Sequence, residues 1–368
     1  MNALLNLIKA DIEATGPMTV SRYMQLCLAH PQHGYYQKAD PLGTEGDFTT
    51  APEISQLFGE MIGVWLLQAW QALGKPAPFA LVELGPGRGT LMADILRVLS
   101  IDPDCAKAAQ VHLVETSPTL TAKQIEMLAK TGQTPVHHSD MDNLPALPTL
   151  WVANEFFDAL PTNQWVRTEK GWNVRKIGLD DAGELTFGVE KTPLPAPKSV
   201  PTNLPIGTII EHSHAQDNAI ITIAKHARQY GGAGLILDYG SLVPGSGDTL
   251  QAVKAHRKAD PLGEPGEADL TTHIDFVHMA SQLRQAGLQT IATAGQGQFL
   301  LALGLLERAG QLGAGRPQET QNDISLAVER LAGDEGMGRL FKVLGFASID
   351  IPMPGLSSVA KDPQEGTQ

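Results

Sequence analysis

The sequence predicts an α/β fold, a doubly wound and mostly parallel sheet, on three observations. Phe79 to Leu84 is a short apolar run broken only by Glu83, the pattern of a strand buried on both faces. Gly85-Pro86-Gly87-Arg88-Gly89 then forces a tight turn, and from Thr90 apolar residues recur at helical spacing, at Leu91, Ile95, Leu96 and Leu99. A second apolar run, Val111 to Val114, ends in an acid, Glu115, where such sheets set the residue that accepts hydrogen bonds from a ribose hydroxyl pair.

The spacing of the turn narrows its ligand. A dinucleotide fingerprint is G-x-G-x-x-G, whereas Gly85, Gly87 and Gly89 alternate here and Thr90 follows. Glu83 lies two residues ahead of the first glycine. An acid followed by G-x-G-x-G suits S-adenosylmethionine (SAM), whose cationic amino group a carboxylate can help hold, better than it suits NAD; on spacing alone, NAD and a plain tight turn stay open. The cofactor-binding candidates are Glu83, Gly85, Pro86, Gly87, Gly89 and Thr90 at the turn, and Glu115, Thr116 and Ser117 after the second strand. Asp140 and Met141, at the exit of a third strand near Val136, are adenine candidates.

The remaining elements follow in chain order. Leu4 to Ile12 and Val20 to Leu28 read as two helices broken by Gly16-Pro17. Thr50-Ala51-Pro52-Glu53 has the form of a capping box ahead of a uniformly apolar helix, Ile54 to Leu73. Thr49 and Thr50 are candidates for a lid that closes over the cofactor. Thr149 to Ala153 is the fourth strand and runs into Asn154-Glu155-Phe156-Phe157-Asp158. Asn154 completes the cofactor candidates. Glu155 and Asp158, two carboxylates at the carboxyl end of a central strand, stand where such sheets bind ligands and where an unneutralised charge is costly.

The second half of the chain alternates in texture. Gln164 to Val189 reads as a small antiparallel insertion, and Lys191 to Gly207 as a proline-rich linker. A helix is expected over Ala215 to Tyr230, a fifth strand over Gly234 to Asp238, and a long loop over Ser241 to Thr272. Next come a helix over His273 to Ala286, a sixth strand over Leu288 to Ala292 and a helix over Phe299 to Arg308. A short helix near Ile324 to Leu331 and an antiparallel seventh strand over Arg339 to Ser348 close the reading. The boundaries expected are 1–75 for a helical extension and lid, 76–163 and 211–350 for the two halves of the sheet domain, 164–210 for the insertion and linker, and 351–368 for a disordered tail.

Composition sets the limits. The chain has 368 residues, 42% hydrophobic, and a formal charge of −13, which argues against a large nucleic-acid-binding face. Its two cysteines imply no disulfide framework and a reducing compartment, read here as cytoplasmic, and no segment reads as a stable membrane insertion. Its eleven histidines show no metal-ligand spacing, so no metal is expected.

GDFTTAPEISQLFGE, VELGPGRGTLMADILRVL, VHLVETSP, NEFFDALP, LDYG, GEADLTTHIDF and MGRLF together resemble the MidA-like family of class I SAM-dependent methyltransferases. The resemblance implies a seven-stranded Rossmann-like sheet with an N-terminal helical extension and inserted segments. The family includes a mitochondrial protein arginine methyltransferase of complex I assembly. The implied activity is therefore symmetric dimethylation of an arginine on a protein partner, a respiratory complex I subunit. Glu155 and Asp158 match the loop on which arginine methyltransferases carry paired glutamates, with Phe156 or Phe157 available to stack on the cation. A non-catalytic assembly protein that keeps the fold is the alternative of a different class. The sequence does not give the oligomeric state.

Overall fold

The computed structural model describes residues 2–37, 50–193 and 204–359. Thr49, most of the proline-rich segment and the end of the tail lie outside them. The described residues fall into two compact units, each assembled from three separate stretches of chain.

The larger unit draws on Thr50–Phe156, Ile220–Val243 and Asp275–Gln368 and contains the predicted sheet. Its strands are β1 (Phe79–Leu84), β2 (Ala109–Val114), β3 (Val136–His138), β4 (Thr149–Asn154), β5 (Gly232–Ser241), β6 (Thr290–Gly295) and β7 (Phe341–Ala347). They lie side by side in the order β3-β2-β1-β4-β5-β7-β6. Only β7 runs against the other six, because it pairs antiparallel with both β5 and β6. β1 and β4 are buried at every position, which is why they read as continuous apolar runs rather than as alternation. The turn after β1 leads into the helix Thr90–Leu99 with the predicted boundaries.

The helix Gln56–Ala72 buries Phe58, Trp65 and Trp70 in the same core. It packs close to the helix Thr90–Leu99 at Gly59, where a Cβ would come within 2.5 Å of the Asp94 Cβ.

Several local expectations are corrected in this unit. Thr50 makes no side-chain cap, the turn Ala51–Ile54 is short, and Ser55 caps the long helix instead, so there is no capping box. The helix expected over Phe299 to Arg308 is two, Gln296–Ala302 and Leu305–Gly313, parted at Gly304 in the left-handed region. The short helix near Ile324 extends over Gln318–Ala332. Ser357–Ser358 pairs with β6 where a disordered tail is expected to have begun.

The smaller unit comprises Met1–Thr49, Phe157–Ala219 and Pro244–Ile274. The insertion forms antiparallel strands Asn163–Thr168, Gly171–Leu179 and Leu185–Val189, joined by Ile209–His212 and Met18–Thr19. Leu4, Ile8 and Ile12 of the helix Ala3–Thr15 pack into one core with Tyr23, Met24, Ile177 and Leu270. The long loop expected over Ser241 to Thr272 is folded. Gln251–Lys254 is the centre of a three-stranded sheet with Arg257–Ala259 and Asp269–Thr271. Buried Gln164 ties that segment down by donating to Glu211 Oε1 at 2.6 Å and to Asp248 Oδ1 at 2.9 Å.

Candidate functional site at the carboxyl ends of the central strands

The site is built where β1, β2 and β4 end. Gly85, Gly87 and Gly89 all have positive φ, and the Gly89 amide donates to the Pro86 carbonyl at 2.8 Å to close the turn. Gly85 also lacks room for a side chain, while Gly89 would bring a Cβ only into ordinary van der Waals contact. A Cβ on Gly85 would sit 2.9 Å from the Phe156 ring, and one on Gly89 3.4 Å from the Gln124 Cα. Gly89 caps the helix Thr90–Leu99 without a side chain, so the first amides of that helix have no side-chain cap.

Glu83 and Asn154 are the most telling groups in the site. Glu83 is 2% exposed and its Oε2 accepts no hydrogen bond; Asn154 is 8% exposed and its Oδ1 has none either. The register pairs Glu83 with Val152 and with Leu113. Asn154 and Glu115 lie two residues beyond those partners, so all three fall on one face. Burial, and after it the charge of Glu115, push the Glu83 carboxyl up to about 8. Two buried acceptors without donors, beside a second carboxylate, could receive a group that is cationic and rich in N–H.

Glu115 keeps its predicted place and is held firmly. Its Oε1 accepts from the amides of Thr116 at 2.8 Å and Ser117 at 2.7 Å, and its Oε2 from Gln124 Nε2 at 3.2 Å. Burial nonetheless raises its pKa. The Ser117 hydroxyl caps the helix Pro118–Ala129, while Thr116 is exposed. Asp140 is exposed and accepts from Ser139 Oγ and the Asp142 amide; Met141, next to it, is half-buried. Pro86 is buried within the turn.

Thr50 begins a segment fastened to both sides of the site. The Thr90 hydroxyl donates to Glu53 Oε1 at 2.6 Å, and Arg88 lies 3.8 Å from Glu53 Oε2. The next amide, that of Ala51, donates to Glu155 Oε1 at 3.0 Å. Asn154 Nδ2 donates to the same oxygen at 3.1 Å. Glu155 itself has φ 51°, a left-handed conformation that a non-glycine residue seldom adopts. Asp158 lies past the passage of the chain into the smaller unit and is 9% exposed; its carbonyl accepts from the Thr272 amide. Phe157 is fully buried, so of the two phenylalanines considered for stacking on a cation only Phe156, half-buried and against Gly85, keeps exposed surface.

Sequence reasoning missed Glu53's part in the turn, the Ala51 amide and Gln124. Gln124 did leave a signal: Leu120, Gln124 and Leu128 recur every four residues on the buried face of one helix, and a glutamine there needs a reason.

Comparison with known proteins gives this geometry its context. Residues 61–294 match a family model of S-adenosyl-L-methionine-dependent methyltransferases. The chain is 36% identical, in an alignment 374 residues long that covers 93% of this chain and 84% of the relative, to the mitochondrial protein arginine methyltransferase NDUFAF7 homolog of Drosophila melanogaster. It is 33% identical over 338 residues to the human protein of that name, covering 82% of this chain and 73% of the relative. A crystal structure from Burkholderia thailandensis, solved bound to S-adenosyl-homocysteine, superposes with a TM-score of 0.83 at 27% identity, over 96% of this chain and 94% of that one. The relatives are named as mitochondrial, which overturns the cytoplasmic placement; a chain without a disulfide framework points to reducing conditions, and these are not confined to the cytoplasm. Among the described residues no helix is long and apolar enough to cross a membrane.

Proposed function

The chain belongs to a family of S-adenosyl-L-methionine-dependent methyltransferases, and on that premise we propose that it methylates an arginine side chain of a protein. Bound SAM supplies a methyl group activated by its sulfonium. The unpaired Glu83 Oε2 and Asn154 Oδ1 suit its ammonium, the glycine turn its backbone approach, and Glu115 its ribose hydroxyls.

The observation that carries the arginine reading is Glu155. Its strained backbone and the two donors on Oε1 fix a carboxylate at the end of β4. A guanidinium is a poor nucleophile because its charge is delocalised over three nitrogens. Glu155 would hold the guanidinium plane, draw positive charge from the reacting nitrogen and accept the proton released on transfer. The relatives named as protein arginine methyltransferases support this reading. The finer reading, symmetric dimethylation of an arginine on a respiratory complex I subunit, rests on the family resemblance.

The test is transfer of labelled methyl from SAM into an extract of cells that lack this protein, followed by mapping of the labelled peptide. Label on lysine, on a small molecule or on nucleic acid would overturn the proposal. Glu155→Gln should keep S-adenosylhomocysteine affinity within about twofold and lower transfer by a factor on the order of a hundred or more. Unimpaired transfer would remove Glu155 from the reaction.

A further inference from the structure

Gln124 sits at a joint between three parts of the cofactor site. It is fully buried in the helix Pro118–Ala129. Its Nε2 donates to the Gly87 carbonyl at 2.7 Å and to Glu115 Oε2 at 3.2 Å. Both neighbours are acceptors only, so both amide hydrogens are spent on them and the amide oxygen must face the other way. There it meets His137 Nε2 at 3.0 Å, which has to carry a hydrogen. Gly89 packs against the glutamine: a Cβ there would lie in van der Waals contact, 3.4 Å from the Gln124 Cα and 3.5 Å from its Cγ.

We infer that Gln124 is a positioning residue for the cofactor, coupling the conformation of the glycine turn to the orientation of the Glu115 carboxylate toward the ribose. The inference rests on the reading of Glu115 as the ribose acid. Glu115 Oε1 is already committed to the Thr116 and Ser117 amides. The direction of Oε2 is therefore set by Gln124, and the same amide group holds the carbonyl at the middle of the turn. His137, on β3, fixes the amide from behind. Removing the two donations leaves the Gly87 carbonyl and a Glu115 carboxylate oxygen each short of a partner while the apolar packing of the helix stays.

The test compares binding of S-adenosylhomocysteine and its 2′-deoxy analogue by calorimetry in three chains: wild type, the isosteric Gln124→Glu and Gln124→Met. At pH 8 the carboxylate of Gln124→Glu cannot donate and repels Glu115. Its affinity for S-adenosylhomocysteine should fall about tenfold, and the preference for the ribose hydroxyl should shrink toward none. At about pH 5.5 the introduced carboxyl, buried beside Glu115, takes up a proton, can donate once more, and should recover part of both relative to wild type at that pH, where the proton on Glu83 weakens binding in every chain alike. Gln124→Met should show the loss without the recovery. A wild-type preference for the 2′-hydroxyl that survives unchanged in both variants overturns the inference, whatever happens to overall affinity. A wild-type chain with no such preference overturns the ribose reading of Glu115 instead, and this inference with it.

Discussion

A single carboxyl makes the sharpest statement about the unliganded protein. Glu83 has a pKa of about 8, raised by burial first and by Glu115 second. Between the ordinary carboxylate range and about pH 8, the folded chain therefore holds a proton that the unfolded chain has released. With more protons bound in the native state, stability falls as pH rises through that window. Urea midpoints should drop between about pH 5.5 and pH 8, and Glu83→Gln should lose that part of the slope; equal slopes in both chains would mean that Glu83 is already ionised. The same proton is released when an ammonium arrives, so binding of S-adenosylhomocysteine at pH 7 should release close to one proton in wild type and none in Glu83→Gln. Calorimetry in two buffers of different ionisation enthalpy reads this directly. Glu83 was legible in the sequence as the one acid in an apolar strand, but its unpaired oxygen was not. That depends on which face of β1 meets β2 and β4, and a run buried on both faces hides its own parity.

Among the elements, the helix Gln56–Ala72 is fastened by charge as well as by its tryptophans. Glu60, nearly inaccessible, accepts from Arg308 Nε at 2.7 Å and Nη2 at 3.1 Å, and from Arg97 Nη1 at 3.1 Å. Burial pushes the Glu60 carboxyl up, but the guanidinium groups of Arg308 and Arg97 outweigh it and leave the pKa lowered. Arg308→Met strips a buried carboxylate of its bidentate partner. Arg97 and the partial exposure of Arg308 soften the loss, so the cost should be about 2–3 kcal/mol. Glu60→Met added to Arg308→Met should recover most of it. A double variant as unstable as the single one would show that Arg308 acts through packing alone. Elements of this kind differ in how plainly the sequence announced them. β1, β4 and the helix Thr90–Leu99 were readable because one apolar period runs from end to end between strong turn residues. The strands Gln251–Lys254, Arg257–Ala259 and Asp269–Thr271 were not, being three or four residues long and rich in charge. The place of β7 between β5 and β6 is likewise a matter of long-range pairing, which no local period records.

At the scale of the molecule, the sequence reads as a sheet domain in two halves, 76–163 and 211–350, parted by one insertion, whereas the two compact units each draw on three stretches and interleave along the chain. Local signals cannot show this, because the contacts that define a unit join stretches such as Leu4 to Ile12 and Ile177, far apart in number. The consequence is energetic. The larger unit has its own core, running from Phe58 and Trp65 to Leu235 and Val343; the smaller has cores around Tyr23 and around Trp165 and Trp172. Every described residue assigned here to the cofactor, from Thr50 to Asn154, belongs to the larger unit. S-adenosylhomocysteine at a hundred times its dissociation constant should therefore add about 2.7 kcal/mol to the stability of that unit. Amides in β1, β2 and the helix Thr90–Leu99 that exchange through its global opening should slow about a hundredfold. Amides of Gly171–Leu179 and Gln251–Lys254 should keep their exchange rates within about twofold if the smaller unit opens on its own. Equal slowing across both sets, measured peptide by peptide by hydrogen exchange, would show instead that the two units unfold as one cooperative body. Slowing confined to the smaller unit would place the cofactor outside the glycine turn altogether.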